Sequence, residues 1–322
     1  MIRAQAGKAG AHPKTEQQQA ESQKEKRDSR LFGRVWWISL TDMDVASIRG
    51  ASHATSTRWD ADIIDCGRKA TMAARTRRVS ILCDTQTHMM PALAHEMASR
   101  DHDLVLGDAK DGLAEELQAL GATVEVVPDT ADLAKRGTVQ KLVDRAQETF
   151  GGFDSACIRP GAHGGGSVLS ATEQDLDDQV NGNFKSVVYA LQALLPPLVD
   201  QGSGQVVINT SASAVRPVPF AAIYSATRAA ANSVIRAAGL QVGPNGVTVN
   251  GTGTYAMDYP SFLHDVGADT DPAKRKAVED GLPTRRLVQP EDAAYFVAGL
   301  IDGKATGQTA QFFTIDAGWS YM

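Results

Sequence analysis

The stretch that decides the fold runs from Val206 to Arg228 and reads VVINTSASAVRPVPFAAIYSATR. Its β-branched apolar start favours a buried strand, and a loop interrupted by prolines follows. The alanine-rich end predicts a helix that starts near Tyr224. Tyr224 and Arg228 lie four residues apart, so on a helix both side chains project from one face. We therefore expect Ser211, at the strand end, to border the same cleft as Tyr224 and Arg228.

From Arg78 onwards the chain alternates between short apolar strands and helices. The segments RVSILC and DLVLGD are two of the strands, and PALAHEMASR is the helix between them. Short apolar strands suit burial on both faces, which is typical of a parallel sheet covered by helices. The sequence predicts one α/β domain over residues 79–322, with a Rossmann-like, doubly wound parallel sheet. Ligands are expected at the carboxyl ends of its strands.

Residues 1–78 differ in composition from the rest of the chain. Residues 1–30 are rich in Gln, Glu, Lys, Arg and Ala and have no apolar period, and residues 31–78 have no repeating pattern. We predict a disordered N-terminal extension over 1–78, with a partner-binding or targeting arm as the alternative.

Composition also excludes several classes of function. Residues 79–322 carry 17 Lys and Arg against 29 Asp and Glu, and this acidic balance disfavours nucleic acid as a partner. The chain has neither a long apolar run nor an apolar leader, so we predict a cytoplasmic protein without membrane contact. The three cysteines, Cys66, Cys83 and Cys157, fit no zinc or disulfide spacing, and no metal site is expected.

The spacing of Ser211, Tyr224 and Arg228 resembles the short-chain dehydrogenase/reductase family, in which the last of the three is normally Lys. The segment NFKSVVYALQALLP resembles the family's fourth helix and places Asn183 at its structural or catalytic asparagine. The segments RRLVQPEDAAYFVAGLI and TGQTAQFFTIDAGW resemble its C-terminal helix and closing strand. The resemblance covers residues 79–320. It implies a homo-oligomer, either a dimer or a tetramer, formed through two long helices.

The family's glycine-rich turn after the first strand is altered in this chain. Backbone amides meet a dinucleotide's pyrophosphate at that turn, and only glycine lets the backbone come close enough. The motif aligns with Cys83, Asp84, His88 and Met90, so its three glycines are absent. A carboxylate and two larger side chains would stand where the phosphates bind. We therefore expect no bound cofactor.

Two carboxylates leave a nucleotide open as a ligand. Asp108 aligns with the residue that holds the ribose in NAD-dependent relatives, and Asp129 aligns with a residue near the adenine. Both are also ordinary residues for the end of a strand, since Asp favours turns and helix caps. We favour the structural interpretation because the phosphate site between them is missing.

Arg228 in place of Lys resembles the non-redox branch of the family, the halohydrin dehalogenases. That resemblance implies that Ser211 orients the substrate oxygen and Tyr224 acts as general base. Arg228 would lower the pKa of Tyr224, because a nearby cation favours the phenolate. The implied reaction converts a haloalcohol to an epoxide and halide, and its reverse opens epoxides with small anions. The chain is thus predicted to be a cofactor-independent carbon–halide lyase.

Two pockets complete this hypothesis. The predicted halide and nucleophile pocket resembles the dehalogenase halide loop and contains Thr254, Tyr255, Ala256, Met257 and His88. The predicted substrate pocket contains Pro160, Ser213, Pro219 and Phe220. Two alternatives remain open: an atypical NAD(P)-dependent short-chain oxidoreductase, and a non-catalytic sensor that uses the same cleft.

Overall fold

The computed structural model describes residues 75–162, 164 and 167–322. The predicted extension over residues 1–78 therefore lies, up to residue 74, outside the described residues and stays a prediction. The described part begins next to the first strand, which starts at Arg78. The Arg75 guanidinium donates to the Gly152 carbonyl oxygen at 2.8 Å, so this residue already packs on the domain.

Apolar, β-branched segments form the strands, as the alternating pattern predicted. The strands are β1 (Arg78–Leu82), β2 (His102–Gly107), β3 (Val124–Val127), β4 (Ser155–Ile158), β5 (Gly204–Ser211), β6 (Val247–Thr254) and β7 (Phe312–Ile315). In the described residues they make one seven-stranded parallel sheet of order β3-β2-β1-β4-β5-β6-β7. The order reverses between β1 and β4, which is the topological switch point of a doubly wound sheet. The predicted Rossmann-like, single α/β domain is confirmed.

Helices connect the strands and cover both faces of the sheet. The α-helices are α1 (Met90–Ser99), α2 (Leu113–Ala119), α3 (Thr138–Phe150), α4 (Glu173–Gln179), α5 (Ser186–Gln201), α6 (Ala222–Val242), α7 (Pro260–Asp265), α8 (Pro272–Asp280) and α9 (Pro290–Ile301). A π-helix, Val180–Lys185, joins α4 to α5. Short 3₁₀ turns cover Ala212–Ala214, Gly243–Asn245 and Trp319–Tyr321. None of the described helices is long and apolar enough to span a membrane.

The core has two layers, one on each face of the sheet. Successive residues of β1 point to opposite faces: Ile81 packs in the layer that contains α3, α5 and α6, whereas Leu82 packs in the layer that contains α1 and α9. Both side chains are fully buried. This double burial explains the near-continuous apolar strands, and it leaves the strand ends as the place where polar residues gather.

Candidate active site

A cavity of about 580 Å³ opens at the carboxyl ends of β5 and β6. This volume is in the range of small-molecule sites, and its position agrees with the rule for open parallel sheets. The predicted site residues that line it are His88, Ser211, Ser213, Tyr224, Arg228, Thr254, Tyr255, Ala256 and Met257. The fold therefore brings together segments that are up to about 170 residues apart in the sequence.

Ser211 is positioned by the end of β5 and by the turn that follows it. Its side-chain oxygen accepts hydrogen bonds from the Ser213 backbone N–H at 3.2 Å and from the Ser213 hydroxyl at 3.0 Å. Both serines are almost fully buried. The Ser211 oxygen accepts these two bonds with its lone pairs. Its hydroxyl hydrogen is therefore available to donate to another oxygen in the cavity.

Tyr224 lies in the first turn of α6, opposite Ser211. Burial raises the pKa of a phenol, but here the positive charge of Arg228 opposes that effect. Hydrogen bonds with Ser211 and Arg228 act in the same direction as the charge. The pKa of Tyr224 is consequently lowered from its ordinary value, and the side chain is suited to proton transfer.

Arg228 sits one turn further along α6, and its guanidinium carbon is 5.0 Å from the centre of the Tyr224 ring. It is 5% exposed, and its Nη1 donates to the Pro160 carbonyl oxygen at 2.8 Å. Gly161 makes this placement possible, since a Cβ on Gly161 would lie 2.2 Å from Nη2 of Arg228. Pro160 thus meets the site through its carbonyl group, and its neighbours Arg159 and Gly161 line the cavity.

Asn183 lies in the π-helix and fastens the segment after β4. Its side-chain oxygen accepts from the Ala162 N–H at 3.0 Å, and its amide donates to Gln179 at 2.7 Å and to Thr227 at 3.2 Å. The absence of a side chain at Gly182 lets the π-helix approach Ala162 closely, because a Cβ on Gly182 would lie 2.4 Å from the Ala162 Cβ. Asn183 is fully buried, and its partner Ala162 directly follows Gly161, which lines the cavity. Through Asn183 and Gly182, the π-helix packs against the segment that follows β4. π-Helical turns often occur at functional sites.

The loop after β6 forms another part of the cavity wall. Thr254 Oγ1 is 3.3 Å from Nε2 of His88, so this loop contacts the turn after β1. Ala256, with φ of 50°, and Met257 are buried beneath the cavity. The Tyr255 ring stacks on Trp319 at 4.0 Å between ring centres, and burial raises the pKa of Tyr255.

Two predicted pocket residues point away from the cavity. Pro219 is exposed and Phe220 is 80% exposed. Their neighbours Val218 and Ala221 line the cavity instead. The sequence places all four in one loop, and only the path of the backbone decides which of them face inward.

The turn between β1 and α1 does not fit a pyrophosphate in the position that the glycine motif serves. Asp84 and His88 keep the left-handed backbone that glycines would adopt, with φ of 61° at both. Met89 and Met90 are fully buried at the start of α1, and proline occupies one of its first two positions, which removes an N–H donor. The Asp84 carboxylate is 2.6 Å from the Arg159 guanidinium. Side chains and an ion pair therefore fill a place that the family keeps open.

Of the two aspartates considered for a nucleotide, Asp108 is engaged within the fold through its carboxylate, and Asp129 is engaged only through its backbone. Oδ2 of Asp108 accepts from the Thr130 N–H at 2.6 Å and from its hydroxyl at 3.1 Å. The Asp129 carbonyl oxygen accepts from Lys141 at 3.3 Å. Neither aspartate lines the cavity found among the described residues. The contacts of the Asp108 carboxylate agree with its structural interpretation.

Several residues of the cavity wall were not singled out from the sequence. They are Arg159, Gly161, Gly164, Asn209, Thr210, Val218, Ala221, Tyr259, Phe262, Asp265 and Val266. Arg159 is the most consequential, because its charge also lowers the pKa of Tyr224. One signal pointed to it: Asp84 follows β1, Arg159 follows β4, and the two strands are expected to be neighbours at a switch point.

Comparison with known proteins gives one consistent result. The family model described as Enoyl-(Acyl carrier protein) reductase matches residues 90–320. A 4-formylbenzenesulfonate dehydrogenase of Comamonas testosteroni is 29% identical over 188 residues, which cover 58% of this chain and 75% of the relative. A 3-oxoacyl-(acyl-carrier-protein) reductase of Staphylococcus epidermidis is 27% identical over 213 residues, which cover 66% of this chain and 84% of the relative.

Solved structures agree on the fold. A levodione reductase superposes with a TM-score of 0.68 at 24% identity, covering 76% of this chain and 97% of the other. An actinorhodin polyketide ketoreductase with NADPH superposes with a TM-score of 0.70 at 21% identity, covering 76% of this chain and 98% of the other.

These relatives overturn the predicted reaction. They are dehydrogenases and reductases, so the prediction of a halohydrin dehalogenase, a carbon–halide lyase, is wrong. The predicted cofactor independence conflicts with the same relatives. The halide role given to Thr254, Tyr255, Ala256, Met257 and His88 depended on the dehalogenase hypothesis and falls with it. Arg228 in place of Lys misled the prediction, since a guanidinium supplies the same positive charge to Tyr224 as an ammonium group.

Proposed function

The chain belongs to the short-chain dehydrogenase/reductase superfamily, through its enoyl-(acyl carrier protein) reductase family, and on that premise we propose that it is an atypical NAD(P)-dependent oxidoreductase. Its reaction interconverts a small carbonyl compound and the corresponding alcohol. The observation that carries this proposal is the lowered pKa of Tyr224, next to Ser211 and inside a cavity of small-molecule size. The oxidoreductase names of the relatives support the same class of reaction.

Proton transfer is the part of the reaction that the chain's own side chains perform. During reduction the Tyr224 hydroxyl donates its proton to the carbonyl oxygen, and during oxidation the phenolate takes the proton from the alcohol. The Ser211 hydroxyl donates a hydrogen bond to the same oxygen and orients it. Arg228 stabilises the phenolate by its charge and is itself held by Pro160. The chain's side chains do not supply the hydride, which a nicotinamide nucleotide would exchange.

The turn after β1 is what makes the proposed enzyme atypical. Its buried helix start and its Asp84–Arg159 ion pair do not fit a diphosphate in the family's usual place. The proposed mechanism therefore contains no step at that position. The roles of Tyr224, Ser211 and Arg228 do not depend on how the nucleotide is bound.

The first experiment compares wild type with Tyr224→Phe in the reduction of a panel of small ketones and aldehydes by NADH or NADPH, followed by nucleotide absorbance. We expect the variant to lose about 10²- to 10⁴-fold in kcat, the usual contribution of a general acid. Tyr295→Phe makes the same chemical change on an exposed part of α9 and should keep wild-type activity. Absence of nucleotide-dependent turnover across the panel, or equal activity of the Tyr224 variant, would refute the proposal.

The other partners named from the sequence stay proposals. A small organic molecule in the cavity fits the proposed reaction. Self-association as a dimer or tetramer and a cytoplasmic location rest on the family resemblance and on composition alone.

A further inference from the structure

We propose that the cavity selects carbonyl compounds that carry an aromatic ring, that Tyr255 determines this specificity, and that Trp319 positions Tyr255 without touching the substrate. This inference rests on the proposed function, because it names the class of substrate for the same site. It gives Tyr255 and Trp319 tasks in the choice of substrate, whereas proton transfer stays with Tyr224.

Three rings, those of Tyr255, Tyr259 and Phe262, form an aromatic wall of the cavity just after β6. Phe262 meets Tyr255 edge to face, with ring centres 5.7 Å apart and ring planes at 77°. Tyr259 meets the His88 ring in the same way, with ring centres 4.9 Å apart. Aromatic side chains attract the edge or the face of a further ring. The aromatic wall therefore favours a substrate that brings such a ring into the cavity.

The aromatic wall begins beside the serine that orients the substrate oxygen. Thr254 lies opposite Ser211 in the register of β5 and β6, and Tyr255 is the next residue. Ser211, Tyr224 and Tyr255 line one cavity of about 580 Å³, a volume that accommodates a substituted ring. A substrate whose carbonyl oxygen meets Ser211 and Tyr224 thus has its substituents in the same cavity as the aromatic wall.

The aromatic wall is uncharged and rests on apolar residues. Burial raises the pKa of Tyr255, although the charge of Arg216 opposes this effect, so the phenol is neutral near neutral pH. Tyr255 and Phe262 pack against an apolar cluster formed by Ala256, Leu282 and Leu287. A neutral aromatic surface favours an uncharged ring over a polar or charged substituent.

Trp319 supports Tyr255 although it is not among the described residues that line the cavity. The two rings are stacked, with their centres 4.0 Å apart and their planes at 25°. Stacking restricts the orientation of the Tyr255 ring before a substrate arrives. Less side-chain freedom is then lost when a substrate binds, which strengthens binding.

Two sets of contacts fix Trp319 in its turn. The Asp316 side chain, in a residue that is 4% exposed, accepts hydrogen bonds from the Gly318 N–H at 3.0 Å and the Ser320 N–H at 2.9 Å. Arg216, in the loop after β5, donates to the Trp319 carbonyl oxygen, and its guanidinium carbon is 4.7 Å from the centre of the Trp319 ring. The loops after β5 and β6 are thus joined through Trp319.

The test compares phenylacetone with cyclohexylacetone as substrates of the full chain, with NADH or NADPH. The two ketones differ only in the ring, and a CH₂ group separates the ring from the carbonyl in both, so the carbonyl groups have similar reactivity. We expect wild type to have about 3- to 10-fold higher kcat/KM with phenylacetone, as one aromatic ring pair supplies. The preference should appear mainly as a lower KM, because the ring is held equally before and during the reaction.

Substitutions of Tyr255 separate its ring from its hydroxyl group. Tyr255→Leu keeps an apolar side chain without a ring, so the ratio of the two kcat/KM values should fall to about 1. Its turnover of cyclohexylacetone should stay close to that of wild type. Tyr255→Phe keeps the ring and should keep the wild-type ratio.

Substitutions of Trp319 test its positioning role. Trp319→Leu removes the stacked partner and should lower the same ratio towards that of Tyr255→Leu, whereas Trp319→Phe can still stack and should keep the wild-type ratio. Tyr321→Leu is the matched control, since it removes a ring that is 80% exposed in the same turn, and it should leave the ratio unchanged. A substitution that only weakened the fold would lower the turnover of both ketones together and would not change their ratio.

The outcomes separate this inference from the proposed function. Equal use of the two ketones by wild type, or a preference for cyclohexylacetone, would overturn the inference without the need for any variant. A preference that survives Tyr255→Leu would also overturn it, and one that survives Trp319→Leu would overturn the role of Trp319. If wild type reduces ketones with NADH or NADPH but treats the two rings alike, the proposed function stands and only this inference fails. Absence of nucleotide-dependent turnover with every ketone would refute both.

Discussion

The two halves of the ligand cleft differ in how well they match the pattern of the family. The half formed by β5 and α6 brings Ser211, Tyr224 and Arg228 together in the cavity wall, at the spacing that resembles the family. The half formed by β1, β4 and the start of α1 has side chains at the positions of the family's glycines and contains the Asp84–Arg159 ion pair. The difference teaches that the two tasks depend on different chemistry. Proton transfer needs a few side chains on one helix face, whereas diphosphate binding needs exposed backbone that any side chain obstructs.

The largest effect should come from removing the charge of Arg228 in the half formed by β5 and α6. Arg228→Met removes the charge that most strongly opposes the effect of burial on Tyr224, together with one hydrogen bond, so the pKa of Tyr224 should rise. Alcohol oxidation needs the phenolate, and its rate should therefore begin to increase only at higher pH. We expect a loss of roughly 10- to 100-fold in oxidation near neutral pH, because less of the phenolate is present at that pH. The pH profile of kcat measures this shift.

Arg228→Lys is the control for charge at that position. It keeps a cation next to Tyr224 and should retain most of the wild-type pH profile. An unchanged pH profile in Arg228→Met would contradict this prediction. It would mean that groups other than Arg228 set the acid/base behaviour of the half formed by β5 and α6.

The close packing of Gly182 against Ala162 should give the second largest effect. A Cβ at Gly182 would lie 2.9 Å from the Ala162 nitrogen, which is backbone and cannot move aside cheaply. Gly182→Ala should lower the free energy of unfolding by up to about 3 kcal/mol, measured by urea denaturation. Gly299→Ala in α9 meets no atom within 4 Å and should stabilise the fold by about 0.5–1 kcal/mol. Equal effects of the two alanines would contradict the close approach at Gly182.

The smallest expected effect lies at the amino ends of β1 and β2, at the other end of these strands from the β1–α1 turn. His102 is fully buried in β2 and contacts the Ser80 hydroxyl at 2.7 Å, which in turn contacts Ser155 at 2.8 Å. Burial, and next the charge of Arg78, lower the pKa of His102 to about 4. The unfolded chain takes up this proton near pH 6.5, so the stability that depends on neutral His102 is present above that pH and is lost towards pH 4.

We therefore expect the free energy of unfolding to fall by about 2 kcal/mol through His102 between about pH 7 and about pH 5. Urea denaturation of wild type and His102→Gln at the two pH values measures the contribution, since the variant lacks the titrating group. The same pH dependence in both proteins would show that the histidine is not responsible. A fall in the free energy of unfolding that is seen in wild type but not in His102→Gln would assign this pH dependence to His102.

The dehalogenase prediction shows how far local sequence evidence reaches. The missing glycines and Arg228 are both departures from the family pattern, and the sequence alone suggests one cause for both, the loss of a nucleotide. The relatives are oxidoreductases, and the structure offers a separate account for each departure. Arg228 keeps its charge next to Tyr224, and the space left by the glycines is taken by Asp84 and Arg159. Two substitutions that suggest one function in the sequence need not share a cause in the fold.

The sequence by itself determined the doubly wound sheet and the meeting of Ser211, Tyr224 and Arg228. Both follow from short-range periodicity, since alternating apolar strands define the layers and a four-residue spacing defines a helix face. Only the tertiary structure decided that Asp84 pairs with Arg159, and that Phe220 points outwards while Val218 lines the cavity. These contacts depend on which strands are neighbours, on their register and on the path of a loop. Such properties arise from packing between distant segments, and no local pattern of residues contains them.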